Sequence, residues 1–258
     1  MFLKGEPLDR IMKLPDNTIW HLVHSSNALK INRMLFIFDY PLGMNDLKPG
    51  DGLHSGFVNP CELTEENVYI FVSHGHDDHF NPDIFYWRNH IRQITYILSS
   101  DITGYPANSV ITSPGQYLKL ENFAVQTYPS TDCGVAFSIY VNGLHIYFAG
   151  DNGFWNWDGS LEDDVYINSA LRMINRSKPV DIAFQLCDPR LAEMGAGGVY
   201  AFARYLNPAC IIPIHLFGNY DFCETVDSNL KDLGYSGKFW KINGRGDTFD
   251  ISIHGSKV

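Results

Sequence analysis

The stretch "NVYIFVSHGHDDHF", residues 67–80, constrains this chain more than any other. Six strand-forming residues lead into a run, His74 to His79, that holds three of the chain's ten histidines and two aspartates. Burying such a run is costly unless something binds it, because neutral imidazoles want partners and adjacent carboxylates repel. A buried strand must therefore deliver the run to its own end, where a metal can supply the missing partner. In extended backbone alternate side chains share a face, so His74 and His76 point together into one pocket. Asn81 then reads as an N-cap with Pro82 at the first helical position, opening a helix through "DIFYWRNHIRQI". The bend into that helix turns Asp78 and His79 toward a second position beside the first. Imidazole nitrogen and carboxylate oxygen suit zinc, iron or manganese, and the run contains no thiolate that would demand zinc.

The rest of the chain falls into two halves of similar grammar, each with strands first and helices after. "TIWHLVHSSNALKI" and "RMLFIFDYPLGM" read as early strands separated by polar turn residues. "GVAFSIYVNGLHIYFAGD" predicts a hairpin, since Asn142-Gly143 is the pair a type I′ turn prefers, and its second strand stops at Asp151. Ser160 followed by Asp163 resembles a capping box for a helix ending near Lys178-Pro179. Then come "VDIAFQL" as strand, "GGVYAFARYL" as helix, "ACIIPIHLF" as buried strand, "DFCETVDSNLKDLG" as helix, and "KFWKI" and "TFDISI" as closing strands. The predicted fold class is α/β (α+β): two facing sheets with helices on both outer sides, one domain over residues 1–258.

Composition bounds the function. A formal charge of −10 leaves too few Lys and Arg to neutralise a long polyanion, so nucleic acid is not the expected ligand. Five cysteines, an odd number without a CxxC pair, and no recognisable leader point to a reducing cytoplasm. No apolar run approaches bilayer length, so no membrane partner is expected.

His74-x-His76-x-Asp78-His79 after a hydrophobic strand resembles the signature of the metallo-β-lactamase fold superfamily. The resemblance implies a four-layered αββα sandwich of mixed sheets and, in most members, hydrolysis of esters, lactones, thioesters, amides or phosphodiesters. "FDYP" looks like the early Asp-Pro turn of the group, "IYFAGD" like the strand delivering a bridging aspartate, and "IIPIH" like the strand delivering the last histidine. By that comparison Asp151 bridges two metals and His215 completes the second site. "STDCGVAF", "AGDNGFWNWDGS" and "DIAFQLCDPRL" are similar to an uncharacterised bacterial branch near the ascorbate-6-phosphate lactonase-like proteins. One departure stands out: laying the family's His-x-x-Gly loop on Gly134 puts Thr131 where a first-site histidine belongs. Asp132 is the residue to move a carboxylate into the gap, with Cys133 as the lesser alternative.

The expected metal ligands are therefore His74, His76, Asp78, His79, Asp132, Asp151 and His215. They would hold two divalent ions, zinc ahead of manganese, iron or nickel. A hydroxide held between two such ions is nucleophilic at neutral pH, and Asp78 is the candidate catalytic residue that orients it or passes a proton to the leaving group. The expected activity is metal-dependent hydrolysis of a small-molecule ester, lactone or phosphodiester. The alternative is a metal-binding, non-hydrolytic redox or sensor protein with an altered first site. His21, His24, His54, His90, His145 and His254 read as surface or packed residues, with His24 in "HSSN" the hardest to place. Trp155 and Trp157 read as packing before pocket roof. Asp188 and Arg190 fit either a structural ion pair or a place near substrate, and "RGD" at 245–247 reads as a turn.

Overall fold

The computed structural model describes residues 13–44, 46–155, 174 and 179–251. Two seven-stranded mixed sheets face each other. The first holds β1 (Thr18–Val23), β2 (Ser26–Ile31), β3 (Met34–Phe38), β4 (Asn67–Val72), β5 (Gln93–Ser99), β6 (Ser109–Thr112) and β14 (Thr248–Asp250), in the order β14-β1-β2-β3-β4-β5-β6. The second holds β7 (Tyr117–Lys119), β8 (Phe123–Pro129), β9 (Val135–Val141), β10 (Leu144–Phe148), β11 (Ile182–Leu186), β12 (Cys210–Ile214) and β13 (Lys238–Phe239), in the order β13-β12-β11-β10-β9-β8-β7. Among the described residues, the α-helices given bounds are α1 (Gly197–Tyr205) and α2 (Phe222–Asp232), and both pack into the core beside the second sheet.

Alternation along the strands builds the layers. In β3, Met34, Phe36 and Phe38 join the inter-sheet core, while Leu35 and Ile37 join a separate cluster with Ile84 and Trp87 on the first sheet's outer face. Period-two side-chain alternation requires this of a strand buried on both sides. Phe38 spans the sandwich, its ring centroid 4.9 Å from that of Phe148 and 5.2 Å from that of Phe184. The β9–β10 hairpin turns through Asn142 (φ 49°) and Gly143 (φ 82°), the two positive angles a type I′ turn needs.

Two predicted elements differ. "TIWHLVHSSNALKI" is a hairpin of two strands, β1 and β2, reversing at His24 (φ 51°). The helix after Asn81 is a 3-10 segment, Pro82–Asn89, although Asn81 does cap it by accepting from the Asp83 N–H at 2.9 Å. Its buried residues, Ile84 and Trp87, are three apart, which matches three residues per turn. Gln93 and Ile94 are taken by β5, which pairs with β4 from Asn67↔Gln93 onward. The Ser160 capping box, Trp157 and all of the predicted helix except Ile174, which is helical and buried, lie outside the described residues. The 245–247 segment is a turn.

Strand direction places the chemistry. β3 and β4 run parallel, as do β10, β11 and β12, so the loops after them open at common sheet ends. β8 pairs antiparallel with β9 and β9 with β10, so the β8–β9 loop opens at the same end as the loop after β10. β2 pairs antiparallel with β3, which brings the β1–β2 turn to the end where β3 finishes. Ligands in such sheets collect beyond the carboxyl ends of the strands.

Candidate metal centre

Each side chain of the centre leaves its strand within a few residues of the end. His74, His76, Asp78 and His79 follow β4, Asp151 follows β10, and His215 follows β12. Asp132 stands in the β8–β9 loop and His24 at the β1–β2 turn. Two groups of potential ligand atoms result, His74, His76, Asp132 and Asp151 in one and His24, Asp78, His79 and His215 in the other, with the atoms of each group within 4.8 Å of one another. Asp151 straddles them: Oδ1 lies 2.9 Å from His79 Nε2 and 3.3 Å from His215 Nε2, and Oδ2 lies 3.7 Å from His74 Nε2.

Three buried imidazoles are aimed by their far nitrogens. His79 Nδ1 is 2.6 Å from Asp39 Oδ2, His215 Nδ1 is 3.2 Å from Asp188 Oδ2, and His74 Nδ1 is 3.0 Å from Ser73 Oγ. Ser73 Oγ itself donates to Asp39 Oδ2 at 2.8 Å, so it accepts from His74. With Nδ1 committed in His79 and His74, Nε2 is the nitrogen each turns toward the hollow, and Asp188 stands beside His215 Nδ1. Asp39 also accepts from the Ser73 N–H at 2.7 Å, tying the end of β3 to the end of β4.

The residues fit divalent cations. Among the described residues, ten buried side-chain atoms have no hydrogen bond of acceptable geometry, and four of them, His24 Nε2, His79 Nε2, His215 Nε2 and Asp151 Oδ1, face one another in the clusters. Buried polar atoms rarely go unsatisfied, and four on one hollow mark a place built for another partner. The electrostatics agree. Burial pushes the His79 imidazole down, yet Asp151 and Asp39 together outweigh it and hold the ring well above the usual histidine range. Burial likewise opposes ionisation of Asp151, but His79 and His215 keep its carboxyl well below the usual carboxylate range. Asp78 is lowered chiefly by the His24 imidazole 3.3 Å away, against the opposing effect of burial. These carboxylates, with Asp132 beside them, collect positive charge.

All seven residues predicted as ligands thus lie in one hollow, Asp132 included: its Oδ2 is 3.3 Å from His76 Nδ1 and 3.9 Å from His74 Nε2. Thr131 turns away, its hydroxyl donating to the Gly153 carbonyl at 2.8 Å and accepting from the Gly153 N–H at 2.9 Å. That staple and Gly134 (φ 69°) shape the loop carrying Asp132. A Cβ on Gly134 would collide with the Ser73 carbonyl and His74. Cys133 Sγ lies 3.9 Å from His76 Nε2, and burial and Asp132 push its thiol pKa up, disfavouring the thiolate a metal prefers.

Sequence reading put His24 among packed residues, whereas its Nε2 lies 3.3 Å from Asp78 Oδ2 and its ring 4.2 Å from that of His215. Asp39 was legible only as part of a turn. Asp188, read either as half of a structural ion pair or as a residue near substrate, takes a two-pronged salt bridge from Arg190 and also lies 3.2 Å from His215 Nδ1. Trp155 was read as packing; it is half-buried, donates to the Asp151 carbonyl at 3.1 Å and stands edge-on to His215.

No protein-family model matches the chain. No curated protein matches it either. Solved structures do. A metallo hydrolase, Igni18, from the archaeon Ignicoccus hospitalis superposes with a TM-score of 0.61 at 16% identity, covering 90% of this chain and 97% of that one. The metallo-β-lactamase fold protein YhfI of Bacillus subtilis gives 0.59 at 15% identity, over 90% and 98% of the two chains. CmlA, a diiron β-hydroxylase from Streptomyces venezuelae, gives 0.61 at 12% identity over 92% of this chain but 55% of that one. The chain has the metallo-β-lactamase fold.

Proposed function

We propose, from this fold and its paired His/Asp clusters, that the protein is a metal-dependent hydrolase of a small-molecule ester, lactone or phosphodiester. The observation that carries the reading is Asp151, one carboxylate whose two oxygens face two adjacent four-residue clusters. His74, His76, Asp132 and Asp151 would hold one cation, and His24, Asp78, His79 and His215 the other, with Asp151 shared. Zinc is the first candidate, and the nitrogen and oxygen donors, with no thiolate among them, leave manganese, iron or nickel as alternatives. Bound divalent cations in such a pair supply Lewis acidity and make water nucleophilic at neutral pH.

The chain's own residues do the rest. Asp39, Asp188 and Ser73 fix which nitrogen each buried imidazole presents. Asp78 is the most accessible carboxylate of the two clusters, 40% exposed, and the adjacent His24 imidazole keeps it ionised. It can accept a proton at Oδ2 from the attacking water and return it to the leaving group. Trp155 screens the His215 side from solvent. All five cysteines are unpaired, which supports the reducing cytoplasm proposed from composition. The narrower likeness to ascorbate-6-phosphate lactonase-like proteins rests on the sequence segments alone.

Elemental analysis of the purified protein, combined with a panel of ester, lactone and phosphodiester substrates, tests the reading. Two metals per chain with turnover that Asp151→Ala abolishes is the expected result. Bound metal without turnover on any class would favour the non-hydrolytic alternative, which the fold shared with a diiron hydroxylase supports.

A further inference from the structure

Beside the clusters stands a charged and aromatic pair that their ligand chemistry leaves unused. Phe217 is 45% exposed although large and apolar, and it sits at φ 48°, two residues after His215 at φ 68°. Positive φ at a bulky residue costs energy and persists only where the surroundings over-determine it. Here the Phe217 ring packs against His24 and His215, with centroids 4.2 Å and 4.8 Å away. The Arg190 guanidinium carbon lies 3.9 Å from the Phe217 centroid. Arg190 is half-exposed yet fixed, because Nε and Nη2 both donate to the buried Asp188 carboxylate. Among the described residues its Nη1 makes no hydrogen bond, which leaves donors of the fork unused on a half-exposed side chain. A pre-oriented guanidinium on an aromatic face is the device proteins use to grip a planar or tetrahedral oxyanion.

We propose that Arg190 and Phe217 form a specificity wall at the mouth of the centre, selecting substrates that carry an anionic group, a carboxylate or a phosphate, beside an apolar body. The unused Nη1 donors hold the anion and the Phe217 ring supports the apolar part. The substrate class rests on the hydrolase reading; the anion site itself does not. Arg190 thus binds the substrate's anionic group and not the reacting atoms.

The test compares wild type with Arg190→Gln and Arg190→Lys at matched metal content. One arm measures kcat/KM for 4-nitrophenyl butyrate, which is neutral, against 4-nitrophenyl hemisuccinate, which is anionic. The anionic-to-neutral ratio is expected to fall about tenfold or more in Arg190→Gln, with Arg190→Lys between, because a charge-assisted pair is lost. A ratio unchanged while both rates fall together overturns the proposal and leaves Arg190 a support for Asp188. The second arm titrates inorganic phosphate calorimetrically, with no turnover required. Phosphate affinity about tenfold weaker in Arg190→Gln supports the wall, and equal affinity overturns it. If wild type hydrolyses neither ester, the hydrolase reading fails for these substrates and the phosphate arm alone decides the anion site.

Discussion

Asp39 and His79, forty residues apart, are both fully buried, and the carboxylate Oδ2 lies 2.6 Å from the imidazole Nδ1. The same carboxylate holds the Ser73 N–H and hydroxyl, so one side chain orients His79 directly and His74 through Ser73. Asp39→Asn keeps the shape and removes the charge. Cation affinity is expected to fall roughly 10- to 100-fold. Competition with a chromophoric chelator measures it, and an affinity equal to wild type would show that the network is ornamental.

His24 enters the second cluster from the opposite end of the chain. His24→Ala is expected to lower the bound metal from two per chain toward one, while His76→Ala depletes the other cluster. Elemental analysis of both variants after identical dialysis checks this. Two retained ions in His24→Ala would mean that His24 serves only as a charge partner of Asp78.

Thr131 fastens the Asp132 loop to the Asp151–Gly153 segment through its hydroxyl. Thr131→Val removes both bonds at nearly constant volume and strands the partly buried Gly153 groups. The expected loss is about 1–3 kcal/mol of stability, with weaker occupancy of the cluster holding Asp132. Denaturant titration with and without added metal reads both. A variant as stable as wild type would contradict the staple.

His21 gives a pH dependence separate from the metal ligands. Burial pushes its pKa down from 6.5 to about 4, against the raising effect of its Asn27 hydrogen bond. Folded His21 is thus neutral where the unfolded chain is protonated, so stability is complete above about pH 6.5 and declines as pH falls toward 4. The shift corresponds to about 3 kcal/mol. Chemical denaturation of metal-free protein between pH 7 and 4 should show a shallower decline for His21→Gln than for wild type. Identical slopes would count against burial of a neutral ring there.

Local pattern was sufficient for part of this molecule. The apolar run into His74 and the Asn142-Gly143 turn follow from alternation and backbone preference, which act over a few residues. The side chains of the β4 end were legible because a run of ligands has no cheap apolar alternative. The 3-10 form of Pro82–Asn89 was not, since the pairing of Gln93 with Asn67 on a neighbouring strand cuts the helix short.

By itself the sequence determined which strands carry imidazole and carboxylate groups to their ends, because strand periodicity and the desolvation cost of unpaired charge are local matters. Only the tertiary structure decided that His24, Asp39 and Asp188 share the hollow, and that Thr131 faces Gly153 while Asp132 faces the histidines. Those placements depend on strand order and direction across two sheets, which bring residues 24, 78 and 215 within a few ångströms by pairings no short window contains.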